Sequence, residues 1–149
     1  MAGDMIAFMS ELDLNDAAFY GFSDGGIVAL LAAMECGRIT NLAVSGANIT
    51  TKGTTLPLRL FLKVNSRVKY DPLIELMKNE PDIAPEELSR ISVKTLVTEG
   101  SRDLIREPET RLIAESIPNA RLMILKGETH GSYIVHSTKI ADILLKELV

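Results

Sequence analysis

Residues 17–34 read AAFYGFSDGGIVALLAAM, and the fold turns on this stretch. The apolar run Ala17-Ala18-Phe19-Tyr20 has the length of a buried strand. The run from Ile27 to Met34 is rich in Ala and Leu and long enough for a buried helix. Between them lies Gly21-Phe22-Ser23-Asp24-Gly25, a G-x-S-x-G pentapeptide. Strand, glycine-flanked Ser and helix together are the setting in which a sharp turn presents a nucleophilic Ser. The spacing has a steric cause. The turn forces the central Ser into a strained conformation, so its neighbours must lack side chains. Gly21 and Gly25 are expected to supply that room, with Gly26 extending it. The turn lifts the Ser23 hydroxyl above the strand end. It also aims the Asp24 N–H, at the helix N-terminus, towards any oxyanion formed there. The pentapeptide alone also fits an ordinary Gly-rich turn with a solvent-facing Ser. The flanks, and the residues downstream, count against that.

The totals narrow the class. A chain of 149 residues suits one domain with a real core. Hydrophobic residues at 46% and charged residues at 24% are typical of a water-soluble domain. A net charge of −4 argues against nucleic acid and anionic membrane as default partners. No apolar run reaches the roughly 18 residues that a bilayer span needs. The start, MAGDMIAFMSELDL, lacks the basic region of a secretory signal. A single Cys, Cys36, makes no internal disulfide and is expected to pack as a small apolar residue, which points to the cytoplasm. One Cys and two His make no Cys/His zinc cluster.

Residues 4–13 place Met5, Ile6, Phe8, Met9 and Leu12 at helical spacing, with Asp4 at the start, and these side chains are expected in the core. No Lys or Arg precedes Arg38, as expected of a mostly buried first segment. Gly37 is a candidate left-handed cap for the helix after Ser23. A second strand is expected at about 41–45. A Thr- and Gly-rich loop follows over 48–57. A helix over 57–69 has Pro57 in its first turn, with Arg59, Lys63, Arg67 and Lys69 as a solvated face. Asp71 caps a short helix over 71–79, and Pro85 starts another. These pieces, about 50–92, are either a small lid or connecting helices. A third strand at 94–99 runs into Gly100-Ser101-Arg102-Asp103. A helix over 107–116, a strand at 121–125 and the loop Lys126-Gly127-Glu128-Thr129-His130-Gly131 follow. The last helix, 137–148, carries Ile140, Ile143, Leu144 and Leu148 on one face. Strands alternating with helices predict a parallel sheet covered on both sides.

In such a sheet the C-terminal strand ends open on one edge, where ligand sites form. Three of these ends carry Ser23, Asp103 and His130. His130 can serve as base because imidazole titrates near neutrality. Asp103 can fix the ring tautomer and stabilise an imidazolium. Each also has a plainer role: Asp103 as a turn Asp, His130 as a loop residue. His136 is the runner-up base, and Glu128 and Asp24 are alternative acids. The end of the second strand, Ser45-Gly46-Ala47-Asn48, offers no carboxylate.

With these residues in place, the chain resembles the α/β-hydrolase superfamily. GFSDGG resembles its nucleophile elbow, TLVTEGSRDLI the strand and loop of its acid, and LKGETHGSY the loop of its His. The resemblance covers nearly the whole chain. It implies a three-layer α/β sandwich with a short, mostly parallel four-stranded sheet. It implies a Ser-His-Asp hydrolase working through an acyl-enzyme on esters or amides, with no cofactor. Full-length members carry earlier strands and a loop with the other oxyanion donor, which find no counterpart here. The elbow strand is then expected at a sheet edge, and an open apolar edge invites pairing with another chain. The expectation is a homodimer or other oligomer, with a small acyl compound as the other partner and neither nucleic acid nor membrane. Ser23 is the expected nucleophile, His130 the base, Asp103 the orienting acid and Asp24 N–H an oxyanion donor. Phe22 and Ile105 are candidate walls of an acyl pocket. The other readings are a catalytically impaired hydrolase remnant or half-domain that acts by association, and a plain binding domain whose Gly-rich turn cradles a phosphate.

Overall fold

The structure is a computed structural model, which describes residues 1–68 and 70–148. Four strands form one sheet in the order β1 (Ala17–Phe22), β2 (Ile39–Ser45), β3 (Lys94–Arg102) and β4 (Ala120–Thr129). All three pairings are parallel. Phe22 stands opposite Ser45, and Ser45 opposite Thr98, so β1 and β2 end in step while β3 and β4 run on past them. The helices are α1 (Ala2–Glu11), α2 (Asp24–Glu35), α3 (Leu56–Val68), α4 (Pro72–Asn79), α5 (Glu107–Ser116) and α6 (Lys139–Leu148). Short 3₁₀ turns at Thr51–Gly53 and Pro85–Arg90 flank α3 and α4.

The alternation of side chains along the strands divides the interior. Leu42, Val44 and Val97 face α2 and α5 and meet Ala29, Leu30 and Ile113 in the main core. Ala43, Ser45, Leu96 and Thr98 face the other way, where α6 lies against β2 and β3. The result is three layers, as the alternation of strands and helices predicts. β1 has one hydrogen-bonded neighbour, β2, among the described residues, so the strand before Ser23 is a sheet edge.

Several local expectations change. β1 extends through Gly21 to Phe22, and β3 and β4 run several residues past their apolar cores, because their ends still find ladder partners. α6 starts at Lys139 rather than Ser137, whose hydroxyl accepts the Lys139 N–H at 3.2 Å. Gly37 is not a left-handed cap. Cys36, at φ −115° and ψ 107°, turns the chain from α2 into extended backbone without one. The first segment is not mostly buried. α1 packs on α2 through Met9, and Phe8 and Leu12 each remain 55% exposed. The cap on α4 is as read: Asp71 Oδ1 accepts the Leu73 N–H at 2.9 Å. Arg59, Lys63 and Arg67 are exposed, and Lys69 lies outside the described residues.

Candidate active site

The turn after β1 places Ser23 at φ 54° and ψ −122°, a region L-residues rarely occupy. Such a residue costs on the order of 1–3 kcal/mol and persists only where its surroundings hold it. Here both sides hold it. The Ser23 N–H donates to Ser45 O at 2.9 Å, and the Gly26 N–H donates to Ser23 O at 2.8 Å. A Cβ on Gly21 would collide with the Gly25 carbonyl, and one on Gly26 would stand 2.8 Å from the Ala47 Cβ. Gly25, expected to give room, meets nothing within 4 Å, so the steric need falls on Gly21 and Gly26. The first turn of α2 leaves the N–H of Asp24 without an intrahelical acceptor. The Asp24 side chain is exposed, and Asp24 stands with Ser23 and His130 among the residues around the cavity there.

β3 and β4 bring the other two groups. The Asp103 side chain is 1% exposed. Its Oδ1 accepts the Ile105 N–H at 3.1 Å, and its Oδ2 accepts the Gly100 N–H at 3.2 Å. His130 Nδ1 lies 2.6 Å from Asp103 Oδ1, and His130 Nε2 lies 3.1 Å from Ser23 Oγ. Burial works to raise the Asp103 pKa. The hydrogen bonds from His130, Ile105 and Gly100, with the nearby imidazole charge, outweigh burial and hold it below the ordinary value. An ionised Asp103 only accepts, so it fixes the proton of a neutral ring on Nδ1. The Nε2 lone pair then faces the Ser23 hydroxyl. The three residues named from sequence thus form one hydrogen-bonded line across three strand ends.

The alternatives sit elsewhere. Glu128 accepts from the Ser132 hydroxyl at 2.6 Å and from Lys139, whose hydrogen bond holds its pKa low, and it ties the His130 loop to α6. His136 is exposed, at φ 54°, just before α6. Phe22 does not wall the cavity. Its ring leans on the His130 imidazole, centroids 4.8 Å apart at 41°. Ile105 does line the cavity at Ser23, together with Ile27, Leu58, Leu62, Met77 and Leu104. That cavity holds about 80 Å³, with Asn48, Thr54 and Glu80 at its polar edge.

Gly46 carries a role that the sequence reading passed over. Its φ is +56°, and a Cβ there would stand 2.8 Å from His130 Cε1. The second strand end contributes no carboxylate, but it makes room for the ring. The feature visible in the sequence is a glycine at a strand end, in Ser45-Gly46-Ala47. Tyr133, three residues after His130, is fully buried. On the other face of β3, buried Glu99 accepts from the Thr110 hydroxyl at 2.5 Å. Burial pushes the Glu99 pKa up to about 7, against the Thr110 hydrogen bond and with help from the charges of Asp103 and Glu107.

No protein-family model matches the chain. No curated protein matches its sequence. Solved structures do match its fold. A protein described as a non-heme bromoperoxidase, BpoC, from Mycobacterium tuberculosis H37Rv superposes with a TM-score of 0.80 at 15% identity, covering 99% of this chain and 72% of its own. The chain has the α/β-hydrolase fold. The esterase EaEST from Exiguobacterium antarcticum gives 0.72 at 20% identity over 98% of this chain and 71% of its own. The meta-cleavage product hydrolase CumD from Pseudomonas fluorescens IP01 gives 0.73 at 17% identity, covering 97% and 68%. Hydrolases and esterases are thus among the neighbours that share this fold.

Proposed function

We propose that the chain is a serine hydrolase acting on a small carboxylic ester or related acyl substrate. One observation carries this reading: the unbroken line from Ser23 Oγ through His130 to Asp103, at 3.1 and 2.6 Å. In the proposed reaction His130 Nε2 takes the Ser23 proton as Oγ attacks the acyl carbon. Asp103 stabilises the imidazolium that results. The oxyanion forms against the Asp24 N–H and the positive end of α2. His130 then gives its proton to the leaving alkoxide, which departs as an alcohol and leaves Ser23 acylated. Water, deprotonated by the same Nε2, releases the acid and restores the hydroxyl. The apolar cavity of about 80 Å³ beside Ser23 suits a short acyl group. An esterase and an enol-lactonase from Burkholderia xenovorans LB400 are among the fold neighbours, in keeping with ester chemistry.

The test is covalent. The intact protein is incubated with a fluorophosphonate and weighed, beside Ser23→Ala and His130→Ala. Stoichiometric labelling that disappears in both variants supports an activated Ser23. A folded protein that stays unlabelled rules it out.

A second reading has its own support in the open edge of β1. That edge is apolar, AAFYGF, with neither Lys nor Pro to discourage pairing. In this reading the chain associates through β1 with a second copy or another polypeptide, whether or not Ser23 reacts. Sedimentation of a monomer at micromolar concentration would dismiss self-association.

A further inference from the structure

α3 exposes two kinds of surface that the site does not use. Leu56, Leu60, Val64 and Val68 recur every fourth residue, with Phe61 beside them, and they cover an arc of roughly 140° on the helix. All five are between 51% and 79% exposed, well above what isolated surface apolar residues need to explain. The buried Leu62 points the other way, towards Ser23. Along one border of the apolar arc stand Arg59, Lys63 and Arg67, again four residues apart. α3 contains no acidic residue, although the chain has 20 acidic and 16 basic residues overall. The basic border is also one wall of a cavity of about 490 Å³. Lys52 from the preceding turn and Lys78 from α4 complete it, with the hydroxyls of Thr51 and Ser66. No carboxylate lines this cavity among the described residues, and of its five cations only Lys78 has an ion-pair partner there, Glu75 at 3.1 Å.

We propose that α3 docks the protein on an anionic lipid surface, its apolar arc entering the acyl region while the basic cavity receives headgroup phosphate. An apolar face bordered by Lys and Arg on a helix of low overall hydrophobicity is what interfacial binding requires. No helix among the described residues is long and apolar enough to cross a membrane, so the contact is one of lying on the surface. The charge argument favours lipid over a second copy. An antiparallel two-fold pairing of this face sets Arg59, Lys63 and Arg67 of both copies along the same side of the contact, like charge beside like charge. The net charge that argued against a membrane averages over the chain. The local field at α3 has the opposite sign. This docking stands apart from the chemistry proposed for Ser23, and its test does not read that chemistry.

The experiment is flotation of the full chain with vesicles of phosphatidylcholine alone and of phosphatidylcholine with phosphatidylglycerol, at low and high salt. Binding is expected to the mixed vesicles, to be weak on phosphatidylcholine alone, and to fall with salt. Each cation near an anionic surface strengthens binding about fivefold, so Arg59→Gln/Lys63→Gln/Arg67→Gln is expected to weaken it about a hundredfold. Leu60→Ser/Phe61→Ser is expected to weaken it by roughly tenfold or more, with an unchanged circular dichroism spectrum. Three results overturn the proposal. One is failure of the folded protein to float with either vesicle. Another is tight binding of inorganic pyrophosphate in calorimetry without flotation, which makes the cavity a soluble-anion site. The third is a dimer in sedimentation velocity that Leu60→Ser/Phe61→Ser dissolves, which makes the arc a subunit interface. Fluorophosphonate labelling of Ser23 without lipid reports on the hydrolase reading separately, so either idea can fail alone.

Discussion

The ends of β1, β2 and β3 and the α3–α4 segment above them are built on opposite principles. At the strand ends nearly every polar group is committed: Ser23 is held by Ser45 O on one side and the Gly26 N–H on the other, and Asp103 accepts three hydrogen bonds. In α3 only Leu62 is buried, and α4 buries no residue fully. The first region holds strain in a fixed geometry, as a reacting site must. The second spends its apolar side chains on solvent, which gains nothing for the isolated fold. The contrast fits the two jobs proposed above, chemistry at a rigid edge and docking through a loosely covered helix pair.

The largest effect should come from the rigid side. Ser23→Ala is expected to lower turnover of an activated acetate ester by about 10⁴–10⁶-fold, as loss of a triad member does. Its melting temperature should not fall, because no contact that holds the fold is lost. Ser23→Gly should lose activity equally and gain on the order of 1 kcal/mol, since glycine relieves the strain at φ 54°. A Ser23→Gly that melts no higher would show that the elbow is not strained.

Next comes the second strand end. Gly46→Ala adds a Cβ within 2.8 Å of His130 Cε1 at a backbone φ of +56°. The ring must move, and a displacement of about 1 Å costs on the order of 10²-fold in rate. The backbone costs a further 1 kcal/mol or so. Stopped-flow labelling rates and thermal melts read the two costs separately. A Gly46→Ala variant that labels at the normal rate would remove Gly46 from the site.

Much of the rigid region was legible in the sequence, and the reason is local. A nucleophilic turn needs glycines and a Ser at fixed spacing, and strand ends announce themselves by apolar runs that stop. So Ser23, Asp103 and His130, which the structure brings together in one hydrogen-bonded line, were readable. What escaped depended on contacts between distant segments. Gly46 matters because of a ring 84 positions later in the chain (130 − 46). Phe22 was read as a pocket wall, but its partner is the His130 ring. In α3 the charged stripe was read correctly as exposed. The apolar arc was not, because periodicity tells which residues share a face and not which face is covered. For the same reason Phe8 and Leu12 of α1 were assigned to the core and lie outside it.

A pH titration sharpens the comparison along β3 and the turn that follows it. Asp103 and Glu99 lie four residues apart, and their pKa values move in opposite directions. Glu99 in the folded chain titrates at about 7, against 4.5 unperturbed. Between those values the unfolded chain has released the proton and the folded chain still holds it. The folded state therefore binds more protons, and stability falls as pH rises from about 4.5 to 7. The full effect is about 3 kcal/mol, from 1.36 kcal/mol per pKa unit. Glu99→Gln keeps an acceptor for Thr110 and has no proton to lose, so its denaturation midpoint should exceed that of the parent above pH 7 and match it near pH 4.5. Asp103 acts in the other direction: its contribution is present above the unfolded value and is lost only as pH drops through the lowered folded one. Parallel pH profiles for parent and Glu99→Gln would mean that Glu99 is solvated.

The smallest effect on stability is expected where the side chains are largest. Leu60 and Phe61 are each 58% exposed, while Leu62, next along the same helix, is 4% exposed. Burial, not size or hydrophobicity, sets the cost of removing a side chain. Leu62→Ala should cost about 2–5 kcal/mol through lost contacts and the cavity left above Ser23. Leu60→Ser and Phe61→Ser remove as much or more apolar surface, yet each should change stability by less than about 0.5 kcal/mol, or roughly 1–2 °C in a domain of this size. Urea midpoints of the three variants, measured without lipid, give the comparison directly. If Phe61→Ser destabilises as much as Leu62→Ala, the apolar arc is covered in solution by another chain, and the contrast between the two regions fails. If it does not, the arc is free in the isolated protein, and what it contacts has to be supplied from outside.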